Sequence, residues 1–142
     1  MKMCSLLTIT VLVAMASALN AGDCPNWSPK FDQITNPEVK DKLKQMTDWD
    51  AVCEQSGGAA KIIVIFKANI KTAKEHLAKA QDAADQLAAS EQDKRRPVTW
   101  EECKNPGNAF MAAKCEVLNM QELILSLDGS IDLAQCRLDH GK

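Results

Sequence analysis

Two histidines, six cysteines, three tryptophans and one run of basic residues are the side chains of this 142-residue chain best suited to chemistry. His76 stands beside Glu75, but adjacent residues on a helix do not face each other, so the pair reads as solvated surface rather than as an acid–base couple. His140 lies in the Asp139-His140-Gly141-Lys142 tail, where chain ends fray. No nucleophile elbow or comparable local signature marks any Ser, Asp or Glu, so an enzyme would have to be built on His76 or an exposed cysteine, and no catalytic residue is expected. Neither a CxxC nor a Cys/His ligand spacing occurs, which leaves no metal and no cofactor to expect. Lys94-Arg95-Arg96 is the densest cationic run. It has two readings: cations complementing the carbonyl end of a helix, or an exposed contact for an acidic protein surface or a sulfated polysaccharide. Trp100 near that turn, like Trp49 between Asp48 and Asp50, is either a contact anchor or ordinary packing. Lys94, Arg95, Arg96 and Trp100 are the candidate contact residues.

The cysteines must be counted after asking which of them the folded protein keeps. Lys2, the apolar stretch from Ser5 to Met15 and Ala16-Ser17-Ala18 have the order of a signal peptide, residues 1–18, with cleavage after Ala21 as the alternative. The apolar stretch is too short for a bilayer core of about 30 Å. The expected product is a secreted, extracellular protein without a membrane partner: one helical domain, residues 19–142, in which 19–36 form an extended leader. A composition of 46% hydrophobic and 25% charged residues is that of a globular chain. A net charge of -2 gives no basic field for nucleic acid. Asn26-Trp27-Ser28 is a glycosylation sequon, but the following Pro29 makes it a poor acceptor. Cys24, Cys53, Cys103, Cys115 and Cys136 remain, an odd number in an oxidising compartment. The fifth thiol is either buried as a small apolar residue or bridges two chains; a buried thiol in a monomer is the expectation.

Helical spacing must position these groups. Asn36-Pro37 has a cap followed by a proline suited to the first helical turn, and Val39, Leu43, Met46 and Cys53 share one face up to Gly57-Gly58. Ile63, Phe66, Ile70, Ala73, Leu77, Ala80, Ala84 and Leu87 then alternate by three and four, the signature of a seam against a partner helix. This helix is expected from about Ala59 to about Gln92, with Pro97 enforcing the break. Thr99 and Glu102 fit a capping box, and Asn105-Pro106 repeats the cap-plus-proline start. Phe110, Ala113, Val117, Met120, Ile124, Leu127, Ile131, Ala134 and Leu138 form a second seam whose phase survives Gly129. One helix through Gly129 is favoured over a turn there. Ile62 to Phe66 is apolar all round, so the leader, through Trp27 or Phe31, is expected to cover the side away from the seam; a lipophilic pocket or a docking patch are the alternatives.

These segments predict an all-α, antiparallel up-down-up bundle of three to four helices, stapled by disulfides. Cys53 and Cys136 fall at one end and Cys103 at the other, beyond the roughly 7 Å that a disulfide can span. The expected bridges are therefore Cys53–Cys136 and Cys24–Cys115, with Cys103 as the alternative partner of Cys24.

Two functions fit such a chain. The first is a non-enzymatic binding or inhibitory protein acting on an extracellular protein target. The second is a carrier of small hydrophobic ligands, in the manner of insect odorant-binding proteins; they are similar in size and helical content but contain a Cys-x3-Cys pair that is absent here. The Cys24-Pro25-Asn26-Trp27 leader, the Cys53 to Gly58 break, the long Ala-rich helix and the Cys103/Cys115/Cys136 half resemble the small all-helical salivary proteins of blood-feeding mosquitoes, the anophensin/albicin type. That resemblance implies inhibition of the alternative complement pathway or of contact-phase coagulation in a host. It carries over no functional residue, since no local motif anchors an alignment.

Overall fold

Side-chain oxygens at the caps decide where the helices begin. The computed structural model describes residues 24–141, and all regular structure among them is helical. The expected signal peptide and residues 19–23 of the leader lie outside them. Asn36 Oδ1 accepts from the backbone N–H groups of Glu38 and Val39, starting α1, Pro37–Gln45, at the anticipated place. The helix does not run on to the glycines. Asp48, in extended conformation, accepts from Ala51 N–H and starts a separate α2, Trp49–Gln55. The Trp49 N–H, which a continuous helix would have used internally, donates instead to Asn26 Oδ1 at 3.0 Å. Gly57 and Gly58 then turn the chain with φ of 90° and 111°, values that only glycine adopts without strain.

The long helix α3, Ala59–Leu87, stops short of Gln92 because Ser90 caps a separate short helix, α4, Glu91–Arg95. Thr99 Oγ1 accepts from Glu102 N–H and opens α5, Trp100–Cys103. The last helix, α6, Ala109–Asp139, is capped by Asn108, not by Asn105. The Cys103–Cys115 bond holds α5 against the second turn of α6, so residues 104–107 are used in reversing the chain. From there α6 passes through Gly129 without a break, as its intact phase predicted. The described residues thus hold six α-helices, more than the three to four expected.

The helices α3 and α6 pack antiparallel over ~45 Å at 1.5 Å per residue. Ile62 and Ile63 meet Ala134 at one end, and the side chains around Gln81 meet those of Val117 and Gln121 toward the other. The predicted seams form this contact: Ile63, Ile70, Ala73, Ala80 and Ala84 from one side and Leu127 and Ala134 from the other are buried, whereas terminal Leu87 and Leu138 remain exposed. A second face of α6 carries the leader, α1 and Trp49. Phe31, Ile34, Leu43, Trp49 and Leu133 form a core in which Trp27 meets the Phe31 ring edge-on at 5.1 Å. The leader is not extended along its whole length, because Pro29–Gln33 make a 3-10 turn capped by Ser28. That turn drops Phe31 onto Gly129, where a Cβ would stand 2.8 Å from ring Cδ1. The leader therefore covers α6, not the Ile62–Phe66 stretch. Val52 and Cys53 of α2 cover Ile62 and Ile63, and Val64 and Ile65 stay in solvent.

Both expected disulfide pairings are corrected. Cys24 bonds Cys136 and Cys103 bonds Cys115, with Cα atoms 5.8 and 5.5 Å apart. Among the described residues Cys53 is the free thiol, and it is buried. The level along the bundle was right and the azimuth was not. Cys53 packs on Ala134, and Cys136, two residues on, points about 200° away, toward the leader. Loop closures of 112 and 12 residues correspond to about 5 and about 3 kcal/mol in the chain-entropy treatment.

Candidate functional site

The basic turn is built by two short elements at the far end of the helix pair. Lys94 and Arg95 end α4, where their charge complements the carbonyl end of the helix dipole. Lys94 Nζ pairs with Glu91 at 2.8 Å; this bond and the Glu91 charge hold its ammonium pKa above the usual lysine value. Its carbonyl accepts from Lys114 Nζ of α6, also at 2.8 Å. Arg96 Nη2 binds Glu102 at 2.9 Å, and Arg95 is exposed with no ion pair among the described residues. Arg95, Arg96 and Lys114 converge on a notch of about 290 Å³, joined by Gln81, Gln121 and an apolar wall of Pro97, Val98, Val117 and Leu118. Lys94 and Arg95 thus stand at the helix end, and both arginines are exposed to solvent.

Trp100 belongs elsewhere. Its Nε1–H donates to the carboxylate of Glu122, and the ring walls two other recesses beside Asn36. Of the four candidate residues, the structure brings Arg95 and Arg96 together, gives Lys94 a supporting place and sets Trp100 half-buried against Glu122, away from the arginines.

Two charged residues of α6 that the sequence reading passed over hold the leader in place. Glu122 is 4% exposed and accepts from Thr35 N–H, Thr35 Oγ1 at 2.6 Å, Asn36 N–H at 3.1 Å and Trp100 Nε1–H. Arg137 is 1% exposed and donates to Asp50 Oδ1 at 2.7 Å, to the carbonyls of Pro25 and Leu133 at 3.0 and 2.9 Å, and to Asn26 Oδ1 at 2.8 Å. A carboxylate with four donors and a guanidinium with four acceptors meet the requirement that buried charge be paired. Their signal lay in a second stripe on α6, Glu122, Leu125, Gly129, Leu133 and Cys136–Arg137, again at intervals of three and four.

The remaining groups are dispersed. Cys53 borders a cleft of about 470 Å³ with Asp50, Glu54, Gly57, Gly58, Ala59 and Arg137. Desolvation pushes its thiol pKa up, against a lowering by the Arg137 charge. His76 is exposed in a shallow groove between α3 and α6, near Glu116 and Met120. His140 caps α6; its Nδ1–H donates to the Cys136 carbonyl at 2.6 Å and lies 3.7 and 3.8 Å from the sulfurs of Cys24 and Cys136. Those two sulfurs and His140 are the one metal-like cluster among the described residues, and the bond between the sulfurs consumes two of its three ligand groups. No helix among these residues is long and apolar enough to cross a membrane.

No protein-family model, curated protein or solved structure matches this chain.

Proposed function

We propose that the chain is a secreted, non-enzymatic binding protein that inhibits an extracellular host protein complex, docking through the basic turn at Arg95 and Arg96. One observation carries the reading: Glu122 and Arg137 are fully engaged in holding the fold, whereas Arg95, Arg96 and Lys114 are gathered at the surface of a chain whose net charge is negative. Two disulfides and the absence of a membrane-crossing helix among the described residues are compatible with export. The chain course is read as up-down-up, with α1 and α2 together standing for the first rod. Complement of the alternative pathway and contact-phase coagulation are the complexes that the likeness to mosquito salivary proteins points to. Alternative-pathway haemolysis and contact-activated plasma clotting test this directly. Dose-dependent inhibition in one of them at or below micromolar protein is expected, and inertness in both would refute it.

A carrier of small hydrophobic ligands is the second reading, favoured by the cleft of about 470 Å³ at the Gly57-Gly58 turn. Three charged residues, Asp50, Glu54 and Arg137, line it, which places the carrier reading behind the first. Displacement of a fluorescent fatty-acid probe would support it, and failure of every lipid tested to displace the probe would remove it.

A further inference from the structure

We propose that the notch between the basic turn and α6 is a carboxylate-binding site that takes one acidic side chain from a peptide segment of the partner protein. The inference rests on the binding-protein reading and names its contact. Three cations line the notch, Arg95, Arg96 and Lys114, and no carboxylate does. Each keeps donors to offer. Arg95 has no ion pair among the described residues. Arg96 engages Glu102 through Nη2, which leaves other N–H groups of its five-donor fork. Lys114 is fixed in place by one bond to the Lys94 carbonyl, with its ammonium 5.9 Å from the Phe110 ring centroid. Like charges lining one notch repel one another, and an anion entering it relieves that repulsion. Two guanidinium forks match the planar, two-oxygen geometry of a carboxylate, and the Gln81 and Gln121 amides add neutral donors.

The surroundings favour a peptide over a sulfated polysaccharide. A polyanion needs a track of cations, whereas here three cations line a single notch. The same turn also carries Glu91, Asp93, Glu101 and Glu102, which would repel the next charge along a sulfated chain. The wall of Pro97, Val98, Val117 and Leu118 suits the methylenes of an acidic side chain or an apolar neighbour, and offers nothing to sugar hydroxyls.

The test uses the secreted protein, labelled with 15N and titrated separately with acetyl-Leu-Glu-Leu-amide and with a heparin tetrasaccharide. The peptide is expected to shift the side-chain signals of Gln81, Gln121, Arg95 and Arg96. Arg95→Gln and Lys114→Gln should each weaken it about tenfold, the effect of losing one charge-assisted hydrogen bond. Lys30→Gln, beside Asp132 toward the opposite end of the helix pair, should leave the affinity unchanged. Absence of peptide-induced shifts, tighter binding of the tetrasaccharide than of the peptide, or equal weakening by Lys30→Gln would each overturn the proposal. Inhibition of haemolysis or clotting that survives the double substitution Arg95→Gln/Lys114→Gln would overturn the notch as the contact and leave the inhibitor reading standing. Peptide shifts from a protein inert in both plasma assays would do the reverse.

Discussion

Replacing Gly129 by alanine should destabilise the protein, although helix propensity alone says the opposite. In a solvated helix interior the change gains about 1 kcal/mol, because alanine loses less backbone entropy on folding. Here the added methyl would stand 2.8 Å from Phe31 Cδ1 and 3.1 Å from Cζ, with Cε1 closer still. The ring cannot step aside freely. It is fully buried, Trp27 meets it edge-on at 5.1 Å, and the Pro29–Gln33 turn fixes its backbone. Overpacking of this kind costs about 1–3 kcal/mol where a group can shift slightly, and more where the whole leader must lift. With the ring held on every side the upper part of that range, about 2–3 kcal/mol, applies, so the net effect after the propensity gain is a loss of about 1–2 kcal/mol in urea unfolding with the disulfides intact. The cause is tested by a double-mutant cycle with Phe31→Leu. That substitution should cost less in the Gly129→Ala background than in the natural chain, with a coupling of about 1 kcal/mol or more. A Gly129→Ala protein as stable as the natural one, or more stable, would refute the claim that close approach of the leader selects glycine at this position.

Glu122→Gln keeps the shape of the side chain but turns one acceptor oxygen into an NH2 group facing donors: in place of Oε1 it leaves Thr35 N–H without its partner, and in place of Oε2 it leaves both Asn36 N–H and Trp100 Nε1–H without theirs. The cost should be about 2–4 kcal/mol in urea unfolding, and a cost below about 0.5 kcal/mol would show that the leader is not held there. For Cys53, burial raises the thiol pKa in the folded protein above the ordinary cysteine value, so the unfolded chain releases its proton first. Stability from this group is complete below the unfolded thiol pKa and falls as pH rises through the window up to the folded value. Unfolding free energy measured from pH 7 to pH 10 should therefore decline more steeply in the natural protein than in Cys53→Ala, and parallel curves would contradict the burial argument.

The seam between α3 and α6 was legible because both sides obey one rule: apolar residues recur every three or four positions on helices long enough for the pattern to repeat. Even the passage through Gly129 followed from that phase. The short elements were less legible. Whether Asp48 starts a helix or sits inside one depends on where Trp49 is pulled, and that is set by Asn26, distant in sequence and delivered by the leader. The disulfides show the same division. Periodicity placed Cys136 at the level of Cys53, but which way each sulfur points depends on the rotation of α6, and that is fixed by the leader packing on its second face.

That second face was hidden for a physical reason. It runs through Glu122, Gly129 and Arg137, whose residue types suggest solvent or a break, and each is buried by a different partner: four donors, an aromatic ring and four acceptors. A helix covered on two sides loses the contrast between one apolar and one polar face, so its second stripe is visible only once the charges are counted as interior. The same bookkeeping separates structural from available charge. Glu122 and Arg137 are matched by groups that cannot leave without unfolding the leader, whereas Arg95 lies in the open beside Arg96 and Lys114. Charge left unmatched on a scaffold that otherwise pairs its buried charges is where an acidic partner would gain most on binding, and that is the ground for placing the proposed contact at the notch and not at the more deeply buried ionic groups.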